Sequence, residues 1–383
     1  MTALPDWNPR GPRVRRDPIA AYDEMRSQCP VARGPSGAWT LFTHADVTAA
    51  AVDHQTYSNA VSAHLQVPNG LDEAVHTAFR SVVDRYFTRE RMRALEPAME
   101  RVAADLVSRL EMPGVIDAVA IGSRFAVRAQ SMWLGWPAAL EEELLEWIGD
   151  NHAATRSRDR TRTAAVAQRF DEIIRSLTDS RRKAGDAAPD DVTTELVRDR
   201  VDGRPLTDEE IVSILRNWTG GDLGSIALCT GVILNYLAEH SHVQDRLRSG
   251  ISTREFDAIL DEILRIDDPF VSNRRVVTDT VTVGDRTLQA GDRVILNWTA
   301  ANRDPRIFGD SEQFEPETNA PYNLVYGIGK HVCPGRPLAT LELRALTRAV
   351  LESTSRIESD PERPPQRARP PVGGFATAAI RLV

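Results

Sequence analysis

Across residues 76–111, HTAFRSVVDRYFTRERMRALEPAMERVAADLVSRLE, apolar residues recur at three- and four-residue spacing, which predicts amphipathic helix. PAALEEELLEWIGDNH and RTAAVAQRFDEIIRSLTDSRRK repeat the pattern. The stretch that opens at LTDEEIVSILRNW differs. Thr207 and Glu210 are spaced for a capping box, hydroxyl to one orphan N–H and carboxylate back to another, and the apolar residues beyond them spread around the whole circumference. A helix apolar on every side belongs inside a protein, so a central helix of about thirty residues through the core is predicted. Ser252 and Glu255 open a further helix, STREFDAILDEILRI, which Pro269 stops. The period then drops to two: RRVVTDTVTVGDRTLQAGDRVIL alternates around Gly284-Asp285 and Gly291-Asp292, as antiparallel strands do, with a second strand group at GGFATAAIRLV. The predicted class is mostly α with a small β lobe.

Composition narrows the partners. The 383 residues are 42% apolar, enough for a large core, and the polar spacer DSRRKAGDAAPDDVTTE reads as a surface connection within a single domain spanning 1–383. A net charge of −8 argues against nucleic acid as the main partner. The N-terminus has no apolar targeting core and no stretch reads as a membrane span, so a soluble, cytoplasmic protein is expected, and separately a monomer. Cys29, Cys229 and Cys333 are an odd, scattered set without zinc spacing.

The sharpest local signal is NLVYGIGKHVCPGRPLATLELRALTRAVL. Cys333 precedes a helix whose dipole and free N–H groups favour an anion, so the sulfur is expected as thiolate, the form that ligates metals. Gly327 and Gly329 let backbone fold closely around it, and Pro334 has no N–H to donate. For a lone cysteine, a buried structural role is the commoner outcome.

YGIGKHVCPG resembles the haem-binding loop of the cytochrome P450 family, with Tyr326 where phenylalanine is usual and Gly327 and Gly335 among the loop glycines. DEILR supplies the family's glutamate–arginine pair at Glu262 and Arg265, three apart on one helix face. HTAFR resembles the segment whose histidine and arginine, here His76 and Arg80, bind haem propionates, and the resemblance gives Arg275 and His331 the same role. The meander NRDPRIFGDSEQFEP also matches, but Thr318 stands where an arginine is common.

The resemblance implies a P450 fold with the long central helix over haem b, Cys333 as the iron ligand, and monooxygenase activity on a small organic molecule or peptide-like intermediate. It also implies electrons from ferredoxin, its reductase and NAD(P)H, with Arg85, Arg89, Arg91 and Arg93 as a docking patch. By position, Asn217, Phe270, Val271, Ser272, Asn273 and Phe375 are substrate contacts, and His152 with its neighbouring arginines belongs to the pocket's lid, which points to an anionic or peptide-like substrate. In TGGDLGS, Gly220 and Gly221 match the residues that make room for dioxygen and Asp222 the acid of the proton-delivery pair. Leu223 stands where threonine is usual, leaving Ser225, Thr219, substrate or water to supply the hydroxyl. That departure keeps oxidative coupling of aromatic side chains, peroxide-driven oxidation and, last, non-catalytic haem sensing as alternatives; Leu223→Thr is expected to alter coupling of NADPH use to product.

Overall fold

The computed structural model describes residues 6–157 and 159–383. Eight helices frame the site: α1 (Glu73–Asp84), α2 (Arg89–Ser108), α3 (Ala118–Leu134), α4 (Glu141–Ser157), α5 (Arg160–Ala184), α6 (Asp208–Glu239), α7 (Thr253–Ile266) and α8 (Arg336–Glu352). The single helical pattern read over 76–111 is two helices. Arg85–Phe87 forms a turn of 3-10 helix, and Thr88 then caps α2 by accepting the N–H of Arg91. α3 escaped the sequence reading: Ala118, Ile121, Phe125, Ala126, Ala129 and Leu134 are buried on several sides, so the segment shows no polar stripe. The spacer after α5 is partly ordered too, with a helix over Val192–Arg198.

α6 is the predicted central helix, and both halves of its capping box are formed. It is long and apolar enough to cross a membrane, yet 67% of its apolar window is buried inside the protein. α3 crosses it closely because two glycines face the crossing. A Cβ at Gly122 would stand 2.7 Å from the Cβ of Thr230, and one at Gly231 would stand 2.7 Å from Cγ2 of Val119.

Five short strands form the main sheet: β1 (Val31–Arg33), β2 (Trp39–Leu41), β3 (Tyr57–Ser58), β4 (Ser272–Val277) and β5 (Arg293–Asn297), in the order β1-β2-β5-β4-β3. β4 and β5 pair antiparallel with Arg275 opposite Val294, while β2 lies parallel to β5. Between them, Val281–Val283 and Arg286–Leu288 form the predicted hairpin. The C-terminal segment gives the strand pair Gln366–Arg367 with Phe375–Thr377, and Ala379–Leu382 joins Ile357–Ser359 and Gly114–Asp117 in a small sheet. The β lobe has its own apolar cluster around Trp39, Leu41, Val294 and Trp298, and the larger core lies among the helices.

Candidate active site

The loop before α8 enters through two left-handed glycines, Gly327 at φ 72° and Gly329 at φ 75°. The N–H of Cys333 donates to the carbonyl of Tyr326 at 2.9 Å, which closes the loop and leaves the sulfur open to a cavity of about 540 Å³. The N–H groups of Gly335 and Arg336 point at the sulfur and lower its pKa, as the helix end was expected to do. Burial outweighs them and pushes the thiol up. A metal cation at the sulfur would add to what the helix end contributes toward the thiolate form.

Donors gather at one end of the same cavity. His331 and Arg275 line it, and His76, 1% exposed, lies against His331 with ring centroids 4.1 Å apart. Three of their nitrogens are buried without a partner: Nδ1 of His76, Nε2 of His331 and Nε of Arg275. Burial and the nearby cations bring His76 down to about 4 and His331 to about 3, so both rings are neutral at pH 7. Burial likewise lowers Arg275, to about 10, and it stays cationic. Arg80 is turned elsewhere: it donates to the carbonyls of Lys330 and Val332 and pairs with Asp84, bracing the cysteine loop from behind.

On the opposite wall, α6 contributes Asn217, Trp218, Gly221, Asp222, Ser225, Ile226 and Cys229, a three- and four-residue rhythm that marks one helix face. A Cβ at Gly221 would meet nothing within 4 Å, whereas one at Gly220 would face Trp147 and Phe170 on the other side. Leu223 is 0% exposed and packs in the main core, away from the cavity. The hydroxyl that α6 brings to the cavity is Ser225, one helical turn beyond Gly221, whose carbonyl it donates to. Thr219 is buried and bonded to the carbonyl of Leu215. Thus the structure brings Gly221, Asp222 and Ser225 to the cavity and leaves Gly220 and Leu223 out of it. The leucine's place in the sequence does not put its side chain where a hydroxyl would act.

Asp222 itself faces two residues the sequence reading missed, Gln130 of α3 and Glu342 of α8, 2% and 0% exposed. Oδ2 of Asp222, Oε1 of Gln130 and both oxygens of Glu342 are buried without a well-formed hydrogen bond among the described residues, yet Gln130 and Glu342 stand close enough to offset part of the burial penalty at Asp222. Burial raises Asp222 to about 7 and Glu342 well above the carboxylate range, so at neutral pH the pair keeps a proton.

Glu262 and Arg265 form a buried bidentate pair at 2.8 and 2.9 Å. Arg265 also donates to the carbonyls of Asn302 and Gln313. Thr318 is exposed, and its neighbour Asn319 completes the cluster by donating to Oε1 of Glu262 at 2.7 Å. Of the expected substrate contacts, Asn217, Phe270, Ser272 and Asn273 line the cavity. Val271 packs instead against the N-terminal apolar cluster around Trp7 and Tyr22, and Phe375 sits under Arg367 in the last hairpin. His152 lies over α6 at Gly224, where an added Cβ would stand 3.2 Å from its Nε2. In the basic run, Arg85 and Arg91 are already paired with Asp199 and Glu195.

Sulfur on one wall, an open helix face on the other and unpartnered imidazole and guanidinium nitrogens at one end fit a flat, iron-bearing macrocycle with carboxylates on its edge. Cys333 would hold the iron, and His331 and Arg275, with His76 behind, would hold the carboxylates. Haem ligated by cysteine pushes electron density toward bound dioxygen and favours O–O cleavage.

The comparisons agree with that geometry. The family described as Cytochrome P450 matches residues 152–379. Cyclomarin C epoxidase of Salinispora arenicola is 31% identical over 88% of this chain and 88% of its own length. Erythromycin C-12 hydroxylase of Saccharopolyspora erythraea is 28% identical over 94% and 89%. A mutant of P450 EryK solved with erythromycin B superposes with a TM-score of 0.86 at 25% identity, covering 96% of each chain. CYP109Q5 of Chondromyces apiculatus shares the fold at 0.87 and 21% identity over 98% of each. The helical fold, the cysteine loop and these relatives together place the chain in the cytochrome P450 family, as a haem b monooxygenase.

Proposed function

We propose that this chain, acting as one domain and a monomer in the cytoplasm, uses Cys333-bound haem b to insert one oxygen atom into a natural-product-like small molecule or a short peptide. The observation that carries the substrate class is the set of amides at the cavity wall: Gln66, Asn69 and Asn273 line it and make no side-chain hydrogen bond among the described residues. Facing them are Phe87, Trp133, Trp218 and Phe270. Apolar walls with a few free amides bind a molecule of mixed polarity, such as a macrocycle or peptide bearing carbonyls and N–H groups. The epoxidase and hydroxylase names among its relatives support the same class.

Cys333 would hold the haem and the His331–Arg275 end would take its carboxylates. Gly221 leaves the α6 wall open beside the cavity, and the hydroxyl of Ser225 and the protonated carboxyl of Asp222 on that wall are placed to hold and pass protons there. Electrons come from ferredoxin. Arg89 and Arg93, exposed and without an ion pair among the described residues, are the half of the basic run free to meet it. Oxidative coupling and peroxide-driven chemistry, raised by Leu223 in place of threonine, are the second reading; the burial of Leu223 and the placement of Ser225 at the cavity favour oxygen insertion.

The reduced, carbon monoxide-bound spectrum tests the foundation: it is expected to show thiolate ligation in the native protein and to lose it in Cys333→Ser. Persistence of the thiolate spectrum in Cys333→Ser would refute the assignment. Product formation with ferredoxin, reductase and NADPH, compared with peroxide alone, tests the electron source.

A further inference from the structure

Four aromatic rings, three of which also belong to the cavity's apolar wall, lie in contact between the cavity and the outer surface. Phe87, Trp133 and Trp218 line the cavity, with centroids 5.2 to 5.4 Å apart in every pairing. The cluster starts beside the sulfur: a Cβ on Gly335 would lie 3.8 Å from Sγ of Cys333 and 3.9 Å from the ring of Phe87. It ends at Tyr86, 5.0 Å from Trp218, whose phenol donates to Oδ2 of Asp199 at 2.9 Å. Asp199 also accepts from Arg85, and that arginine side chain is 55% exposed, so the far end opens on solvent.

Aromatic contacts of this kind also stabilise ordinary cores. The order of the rings is what points further. Tryptophan and tyrosine are the aromatic side chains that give up an electron most readily, and tyrosine does so only as its phenolic proton leaves. Here the tryptophans face the cavity, and the tyrosine lies outward with a carboxylate already hydrogen-bonded to its O–H. The guanidinium of Arg91 stands 5.1 Å from the centre of the Tyr86 ring, which disfavours a positively charged ring and makes proton loss to Asp199 part of the same step.

We propose that Trp218 and Tyr86, with Trp133 beside them, conduct oxidising equivalents from the cavity to the surface at Asp199 when no substrate is present to take them. This is a protective one-electron activity distinct from substrate oxidation, and it rests on haem being held at Cys333. With haem held at Cys333 and oxidised by peroxide, Trp218 would supply one electron and be refilled by Tyr86. The Tyr86 O–H bond breaks, its electron passing to Trp218 and its proton to the Asp199 carboxylate. A reductant of the ascorbate or small-thiol class then returns one electron to the tyrosyl oxygen, Asp199 returns the proton, and the oxidised reductant releases its own proton to solvent. Two such passages, with two protons taken up from solvent at the cavity end and both peroxide oxygens leaving as water, would discharge the two oxidising equivalents of one peroxide. Phe87 carries no charge and serves as packing.

The experiment uses substrate-free ferric holoenzyme mixed with hydrogen peroxide, frozen within the reaction and read by electron paramagnetic resonance. A neutral tyrosyl signal is expected in the native protein, replaced by a tryptophanyl signal in Tyr86→Phe and diminished in Asp199→Asn. With ascorbate present, haem bleaching by peroxide should be several-fold faster in Tyr86→Phe and Trp218→Phe than in the native protein. The reduced carbonyl spectrum is taken first on every variant. If Tyr86→Phe lacks the thiolate spectrum, the partly exposed Asp199→Asn carries the test by its signal and its bleaching rate. A tyrosyl signal unchanged in Tyr86→Phe overturns the proposal, as does equal bleaching in native protein and correctly ligated variants. A native protein without the thiolate spectrum would instead overturn the haem assignment beneath it.

Discussion

Asp222→Asn isolates the cost of an acid buried at the cavity wall. In the folded protein burial raises Asp222 from its ordinary 3.8 to about 7. Between those values the folded state keeps a proton that the unfolded chain releases, so stability falls as pH rises from 3.8, and the loss levels off above about 7. At about 1.36 kcal/mol per unit, the loss reaches roughly 4 kcal/mol by neutral pH. Asparagine has the same shape and does not ionise, so the variant should gain on the native protein as pH rises, by up to about 3 kcal/mol between about pH 5 and about pH 7. Glu342 shares the cluster and keeps its own burial penalty, which places the measured gain below that ceiling. Urea unfolding of both holoenzymes, followed by far-ultraviolet circular dichroism at several pH values, gives the difference directly. A difference that does not change with pH would refute the reasoning, because a constant offset reports only the hydrogen bonding of an amide against that of a carboxyl.

Glu262→Gln strips the buried Arg265 of its counter-charge and should cost about 3–5 kcal/mol, seen as a lower urea midpoint and weaker haem retention. Leu223→Thr should destabilise by about 1–3 kcal/mol through an unpaired hydroxyl in the core while leaving the ratio of NADPH consumed to product unchanged. Ser225→Ala should change that ratio; the opposite pattern would return position 223 to the cavity. Gly122→Ala should cost about 1–3 kcal/mol by forcing α3 away from Thr230. Gly221→Ala, whose methyl meets no protein atom within 4 Å, should be neutral or up to about 1 kcal/mol stabilising in thermal unfolding of the haem-free protein, because alanine is the better helix former.

What could be read in the sequence was what local chemistry determines. The capping box at Thr207 and Glu210, the glutamate–arginine pair and the glycine-bounded cysteine loop each involve residues a few positions apart, and all three form as written. α3 was missed because a helix buried on several sides has no polar stripe, so its sequence lacks the contrast that marks a surface helix. Gln130 and Glu342 were missed for a related reason. A single polar residue in an apolar helix carries no sign of what it faces, and these two meet Asp222 only because α3, α6 and α8 converge. Asn319 was one position from the residue inspected, and only the fold decides that it, rather than Thr318, turns inward to Glu262.

Helix phase sets the limit most sharply on α6. Successive side chains on a helix point about 100° apart, so neighbours in TGGDLGS cannot share one function merely by adjacency. Gly221 and Ser225 lie four apart and face the cavity together, whereas Gly220 and Leu223 turn toward the surrounding helices. Asn217 lies four before Gly221 and reaches the same face, but its amide donates to the carbonyl of Val67. Ser213, one turn further back, accepts from the N–H of Val67 and donates to the carbonyl of Leu65, and Arg216 donates there too. Ser213, Arg216 and Asn217 of α6 are therefore occupied in fastening the 65–67 segment beside the cavity. The cavity-lining amides left without a side-chain hydrogen bond among the described residues are Gln66 of that segment, Asn69 just beyond it and Asn273 of β4, and under the proposed function these are the groups expected to select polar substrate atoms.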